Sequence, residues 1–142
     1  MSEDFESLQP EGWPRPSGYA NGIAASGSLV SVAGQIGWNP ETCQFETDDF
    51  VAQTAQALRN VLAVLRAAGA EPRHLVRLTW FITDRAAYLT AQREIGIAYR
   101  EVVGRHFPAM SVVVVSGLLE ERAKVEIEAT AVVAFGEDLA SR

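Results

Sequence analysis

Leu75-Val76-Arg77-Leu78-Thr79-Trp80-Phe81-Ile82-Thr83 is apolar at both odd and even positions, the pattern of a strand covered on both faces. Asp84 follows it directly and is placed to cap a helix. That helix is expected over about Arg85 to Val103, with Tyr88, Leu89, Gln92, Ile95, Tyr99, Val102 and Val103 along one broad stripe and Gly104 as its stop. On the upstream side, Val51, Ala55, Leu58, Val61, Leu62 and Leu65 repeat at three-and-four spacing between Asp48 and Gly69, which predicts a second amphipathic helix. Thr47 or Asp48 would cap it and Gly69 would end it.

Moving outward, Ser28 to Gly34 is β-branched with partial alternation and follows the turn Ala25-Ser26-Gly27, so a hairpin is expected from about Tyr19 to Ile36. Ser111 to Ser116, with four valines, and Ala123 to Phe135, where Val125, Ile127 and Ala129 alternate with Glu126, Glu128 and Thr130, read as two more strands. Residues 1–18 carry Pro10, Pro14 and Pro16 and suit an extended arm. Residues 19–135 form one domain in this reading, and 136–142 a C-terminal tail. The order β-β-α-β-α-β-β gives an α+β fold, most simply one sheet with two helices on one face. A chain of 142 residues has no third layer for the sheet's other face, so association with copies of itself is expected.

Composition narrows the function classes. The formal charge is −6, and Lys124 is the only lysine among 12 basic residues. No basic cluster exists to neutralise phosphates, which argues against nucleic-acid and membrane-surface partners. Cys43 is the only cysteine, so no intrachain disulfide can form. A reducing, cytoplasmic setting is expected, with no secretory leader in the acidic, polar first residues and no membrane span. Neither a phosphate-cradling glycine loop nor a metal-ligand spacing around His74 or His106 is present, so no metal and no cofactor are expected. Both histidines read as surface or packing residues.

Four segments taken together carry more information: Ala33-Gly34-Gln35-Ile36, the helix segment Gln53 to Leu62, Phe107-Pro108-Ala109, and Val125-Glu126-Ile127-Glu128-Ala129. In order and spacing the chain resembles the Rid family, the reactive-intermediate deaminases also called YjgF/YER057c/UK114 proteins, from about Ser17 to Val133. The resemblance implies a chorismate-mutase-like fold with one mixed sheet, a homotrimer, and small-molecule pockets in the clefts between subunits.

It also implies roles for individual residues. Active deaminases of the family carry an arginine directly after the Pro-Ala pair, and its fork grips a substrate carboxylate. Met110 stands there instead, without charge or donor. Tyr19 matches the family's early tyrosine, and Gln92 stands where it has an asparagine. Ala33 replaces the serine before Gly-Gln. Glu126 matches the carboxylate that positions an attacking water, with one extra residue between Leu118 and Lys124. Backbone groups from Ala109 to Val112 would bind the ligand. Glu126 also reads as a solvated strand carboxylate paired with Arg122 or Lys124, and Arg93 and Arg105 read either as cations replacing the missing fork or as solvent-facing charges. Three functions stay open: hydrolysis of an imine or enamine to a carbonyl compound and ammonia, ligand binding or regulation by a trimer without catalysis, and the RNA cleavage suggested by the family's L-PSP endoribonuclease label. The acidic charge disfavours the last.

Overall fold

A computed structural model of the protein describes residues 5–134. The strands are β1 (Phe5–Leu8), β2 (Gly22–Ala25), β3 (Ser28–Ile36), β4 (Leu75–Ile82), β5 (Ala109–Val114) and β6 (Val125–Val133). The helices are α1 (Phe50–Ala67), α2 (Arg85–Thr90) and α3 (Gln92–Val102). The main sheet has the order β3-β6-β4-β5, with β4 and β5 parallel and the other neighbours antiparallel. It is one mixed sheet in an α+β fold. The proposed C-terminal tail, and Phe135 at the end of the last predicted strand, lie outside the described residues.

Alternation along each strand decides which face is covered. Val30 and Val32 of β3, Leu78, Trp80 and Ile82 of β4, and Val125, Ile127, Ala129, Ala131 and Val133 of β6 are buried in one cluster with Leu58, Val61, Leu62 and Leu65 of α1 and with Ile95 and Tyr99 of α3. Each large aliphatic side chain removed from water here contributes about 1.5–3 kcal/mol. The intervening residues Leu29, Ser31, Ala33 and Glu128 are exposed on the other face, which no described element covers. The helix α1 is capped by Asp49, whose carboxylate accepts from the Ala52 N–H and is one residue beyond the predicted caps.

Two expectations are corrected. The segment Tyr19 to Ile36 is not a hairpin, because β2 pairs with β1 in a separate two-stranded sheet while β3 pairs with β6. Gly27, in the turn between them, lies so close to β6 that a Cβ there would stand 2.0 Å from the Val133 carbonyl oxygen. The nine residues of β3 thus find a nine-residue partner in β6, and β1 gives part of the arm a strand that its prolines did not suggest. The predicted helix from Arg85 to Val103 is also broken, at Ala91 (φ −103°, ψ 12°). There the Thr90 hydroxyl donates to the carbonyls of Ala86 and Ala87 and the Ala91 N–H is shared between Ala87 and Tyr88. Such side-chain competition for backbone carbonyls bends helices, and Gln92 consequently opens a new one.

Candidate functional site

A cleft of about 910 Å³ opens where α2 and α3 pass the edge strand β5, within the size range of small-molecule sites. Met110 and Val112 of β5 and Trp80 of β4 line it from the sheet, and Tyr88, Gln92, Arg93, Gly96, Tyr99 and Arg100 from the helices. Ser17, Gly18 and Tyr19 close one side, and Arg105 and Phe107 another.

Local bonds set these walls. The Ala20 N–H donates to the Pro108 carbonyl at 3.0 Å and Ala20 bridges Ala109 in parallel register, which holds the loop bearing Tyr19 against the start of β5. The Tyr99 hydroxyl donates to the His106 carbonyl at 2.6 Å, and its ring stacks on Phe107 with centroids 5.3 Å apart. Burial pushes the Tyr99 phenol far above its ordinary range. The His106 ring donates from Nε2 to the Leu75 carbonyl at 2.7 Å, a structural task for this histidine. The His74 Nδ1 likewise accepts from the Glu71 N–H. Trp80 is 3% exposed, and its indole Nε1–H is buried beneath the cleft with no acceptor among the described residues.

The structure therefore gathers Tyr19, Gln92, Met110 and Val112 into one cleft. Ala109 lies beside it through its backbone, with its side chain on the opposite face from Met110. Glu126 is elsewhere. Its carboxyl lies over Gly34, where a Cβ would stand 2.7 Å from Cδ and Oε2, on the uncovered face between β3 and β6. The ion pair expected for Arg122 goes to Asp48 at 2.9 Å, and no pair between Glu126 and a cation is formed among the described residues. The polar residues of α1 are structural: the Gln53 Nε2 donates to the carbonyls of Thr47 and Arg122, and the Asn60 Nδ2 to those of Ile36 and Trp38.

Residues that sequence reasoning passed over are Trp80, Tyr88, Gly96, Tyr99, Arg100 and Phe107. The spacing Arg93, Gly96, Arg100 was the available signal, since positions three and seven apart share a helix face. Among the described residues no group of three His, Cys, Asp or Glu side chains could hold a metal, and no helix is long and apolar enough to cross a membrane.

Comparison with known proteins agrees with this architecture. The chain matches the family described as Endoribonuclease L-PSP over residues 14–133. It is 37% identical to Protein DfrA of Myxococcus xanthus over 111 residues, 75% of this chain and 78% of that one. It is 35% identical to the 2-iminobutanoate/2-iminopropanoate deaminase of Escherichia coli over 117 residues, 80% of this chain and 86% of that one. The crystal structure of the Rid protein YyfB from Yersinia pestis superposes with a TM-score of 0.75 at 34% identity, covering 92% of this chain and 99% of that one. Escherichia coli TdcF with bound serine gives 0.65 at 31% identity, covering 91% and 99%. Fold, matched span and relatives coincide, and the chain belongs to the Rid family of YjgF/YER057c/UK114 proteins.

Proposed function

We propose that the protein hydrolyses the C=N bond of a small imine or enamine, giving a carbonyl compound and ammonia, in clefts completed where copies of the chain meet. One observation carries this reading: the residues matched to the family's site fall into two half-sites on opposite sides of the sheet. Tyr19, Gln92, Met110 and Val112 line the cleft at the β5 edge. Gly34 and Glu126 lie together at the β3–β6 side, so the carboxylate and the cleft cannot serve one substrate within one chain. A head-to-tail contact bringing the β3–β6 side of one copy to the β5 edge of the next unites them, and such contacts close into rings. A homotrimer, implied by the family resemblance, is the ring we expect, and it also covers the open sheet face.

In the united site, Tyr19 and Gln92 hold the ligand by hydrogen bonds, with backbone groups from Ala109 to Val112 beside it. Glu126 orients a water and takes its proton as the oxygen bonds to the imine carbon. The nitrogen gains a proton, the C–N bond of the resulting carbinolamine breaks, and ammonia leaves as the carbonyl forms. A specific observation favours a second reading. Met110, in the cleft, cannot donate to a carboxylate, and Ala33 has no hydroxyl. A cleft that binds without turnover fits both.

The test is an imine-hydrolysis assay, with the imine generated in situ, on the wild type, Glu126→Gln and Met110→Arg. Ammonia release by the wild type that falls at least about tenfold in Glu126→Gln supports hydrolysis. Turnover unchanged in that variant removes Glu126 from the mechanism. Activity in Met110→Arg alone identifies a competent scaffold that lacks only its fork, and the binding reading then holds for the natural chain.

A further inference from the structure

We infer that the cleft takes a small molecule with two anionic groups, gripped by Arg93 and Arg100 and flanked by Arg105. The inference rests on the cleft being a ligand site, and it names the class of ligand.

Charge is the first argument. Arg93, Arg100 and Arg105 all line the cleft, and among the described residues no Asp or Glu does. The chain as a whole carries −6, so the field in this cleft opposes the net charge. None of the three guanidinium groups forms an ion pair or hydrogen bond among the described residues, whereas Arg73 and Arg122 pair with Glu71 and Asp48. Glu94 and Glu101 follow Arg93 and Arg100 in sequence, but adjacent helix positions do not face one another, and neither carboxylate lines the cleft. Within one chain these three like charges stand uncompensated among the described residues, and the single carboxylate that Glu126 of a neighbouring copy would bring leaves an excess of positive charge for a ligand to neutralise.

Placement is the second argument. Arg93 and Arg100 lie seven residues apart on α3, so their α-carbons stand about 10 Å apart along the helix axis and both side chains leave the same face, giving two forks to one ligand. Between them is Gly96, in the helix interior, where glycine is less favourable than alanine. Among the described residues no packing requires it, because a Cβ there would meet only the Arg100 Nη1, at an ordinary 3.5 Å. Its missing side chain leaves room in the cleft wall for the Arg100 guanidinium, whose Nη1 lies beside the bare backbone of residue 96. Carboxylate and phosphate both suit guanidinium forks, and the probes must separate them.

Calorimetric titration of the full chain in its native assembly should compare 2-oxobutanoate (one anionic group), 2-oxoglutarate (two carboxylates) and 3-phosphoglycerate (carboxylate and phosphate). At least one dianion is expected to bind about tenfold or more tightly than 2-oxobutanoate, and the better one identifies the second oxyanion. Arg93→Gln and Arg100→Gln should each weaken that dianion about tenfold, and Gly96→Leu should weaken it too, by pushing the Arg100 guanidinium aside. Absence of dianion binding, equal affinity for 2-oxobutanoate, or affinity unchanged in both arginine variants overturns the assignment. Arginine-dependent dianion binding without hydrolysis of the corresponding imine overturns the hydrolytic proposal and leaves this one standing. Imine hydrolysis without any preference for dianions does the reverse.

Discussion

The Glu126 carboxyl rests on the α-carbon of Gly34, so close that a Cβ at residue 34 would stand 2.7 Å from Cδ and Oε2 and 2.8 Å from Cγ. Gly34 falls where the β3–β6 register shifts between Val32 and Gln35, and a bulge of this kind re-aims neighbouring side chains. The glycine therefore sets where the carboxylate can sit.

Gly34→Ala should displace that carboxylate without unfolding the protein. The clashing atoms are the free end of a flexible side chain, so stability should change by no more than about 1 kcal/mol. Misplacing a reacting group by about 1 Å can cost on the order of 100-fold in rate. Imine hydrolysis should therefore drop about 10- to 100-fold, and combining Gly34→Ala with Glu126→Gln should cost little more than either alone. Wild-type turnover in Gly34→Ala would show that the position of Glu126 is irrelevant.

Gly37 makes the opposite case three residues on. A Cβ there would lie 2.4 Å from the Gln53 carbonyl oxygen and 2.6 Å from Gln53 Cα and Cβ. These are atoms of the α1 backbone and its first side-chain carbon, and they cannot step aside. Gln53 is itself fixed, because its Oε1 accepts from the Lys124 N–H at 2.9 Å while its Nε2 holds Thr47 and Arg122. Gly37→Ala should cost about 1–3 kcal/mol, as overpacking does. In urea titration the midpoint should fall with an unchanged slope, and a midpoint equal to wild type would contradict the geometry.

The contrast between these glycines also marks how far the sequence could be read. Strands β4 and β6 and helix α1 were legible because their apolar spacing is set by burial, which acts locally on each residue. The break at Ala91 was not, since Arg85 to Val103 keeps one apolar stripe and the competing Thr90 hydroxyl bonds depend on backbone geometry. The pairing of β2 with β1 was hidden for a different reason: a short Ser-Gly connection fits a hairpin, and only the approach of Gly27 to Val133 reveals the rival partner. In the cleft, Tyr19, Gln92 and Met110 were reachable through the family pattern. Arg100 was hidden by its charge, which reads as solvent exposure until the fold shows which face of α3 borders β5.

Tyr99 should make stability fall in alkaline solution in a way its neighbours do not. Its hydroxyl donates to the His106 carbonyl, and burial holds its ionisation far above the ordinary phenol value of about 10. Below about pH 10 both folded and unfolded chains keep the proton, and this group adds no slope. Above it the unfolded chain binds fewer protons than the folded one, so unfolding free energy decreases as pH rises, by up to about 1.4 kcal/mol per pH unit from this group, until the folded phenol also ionises. Tyr99→Phe removes that slope and, at neutral pH, loses the hydrogen bond, about 1 kcal/mol. Denaturant titrations of both proteins at neutral pH and through the alkaline range should give curves that converge as pH rises. Curves that stay parallel would mean that the Tyr99 phenol ionises in the folded protein as it does in water.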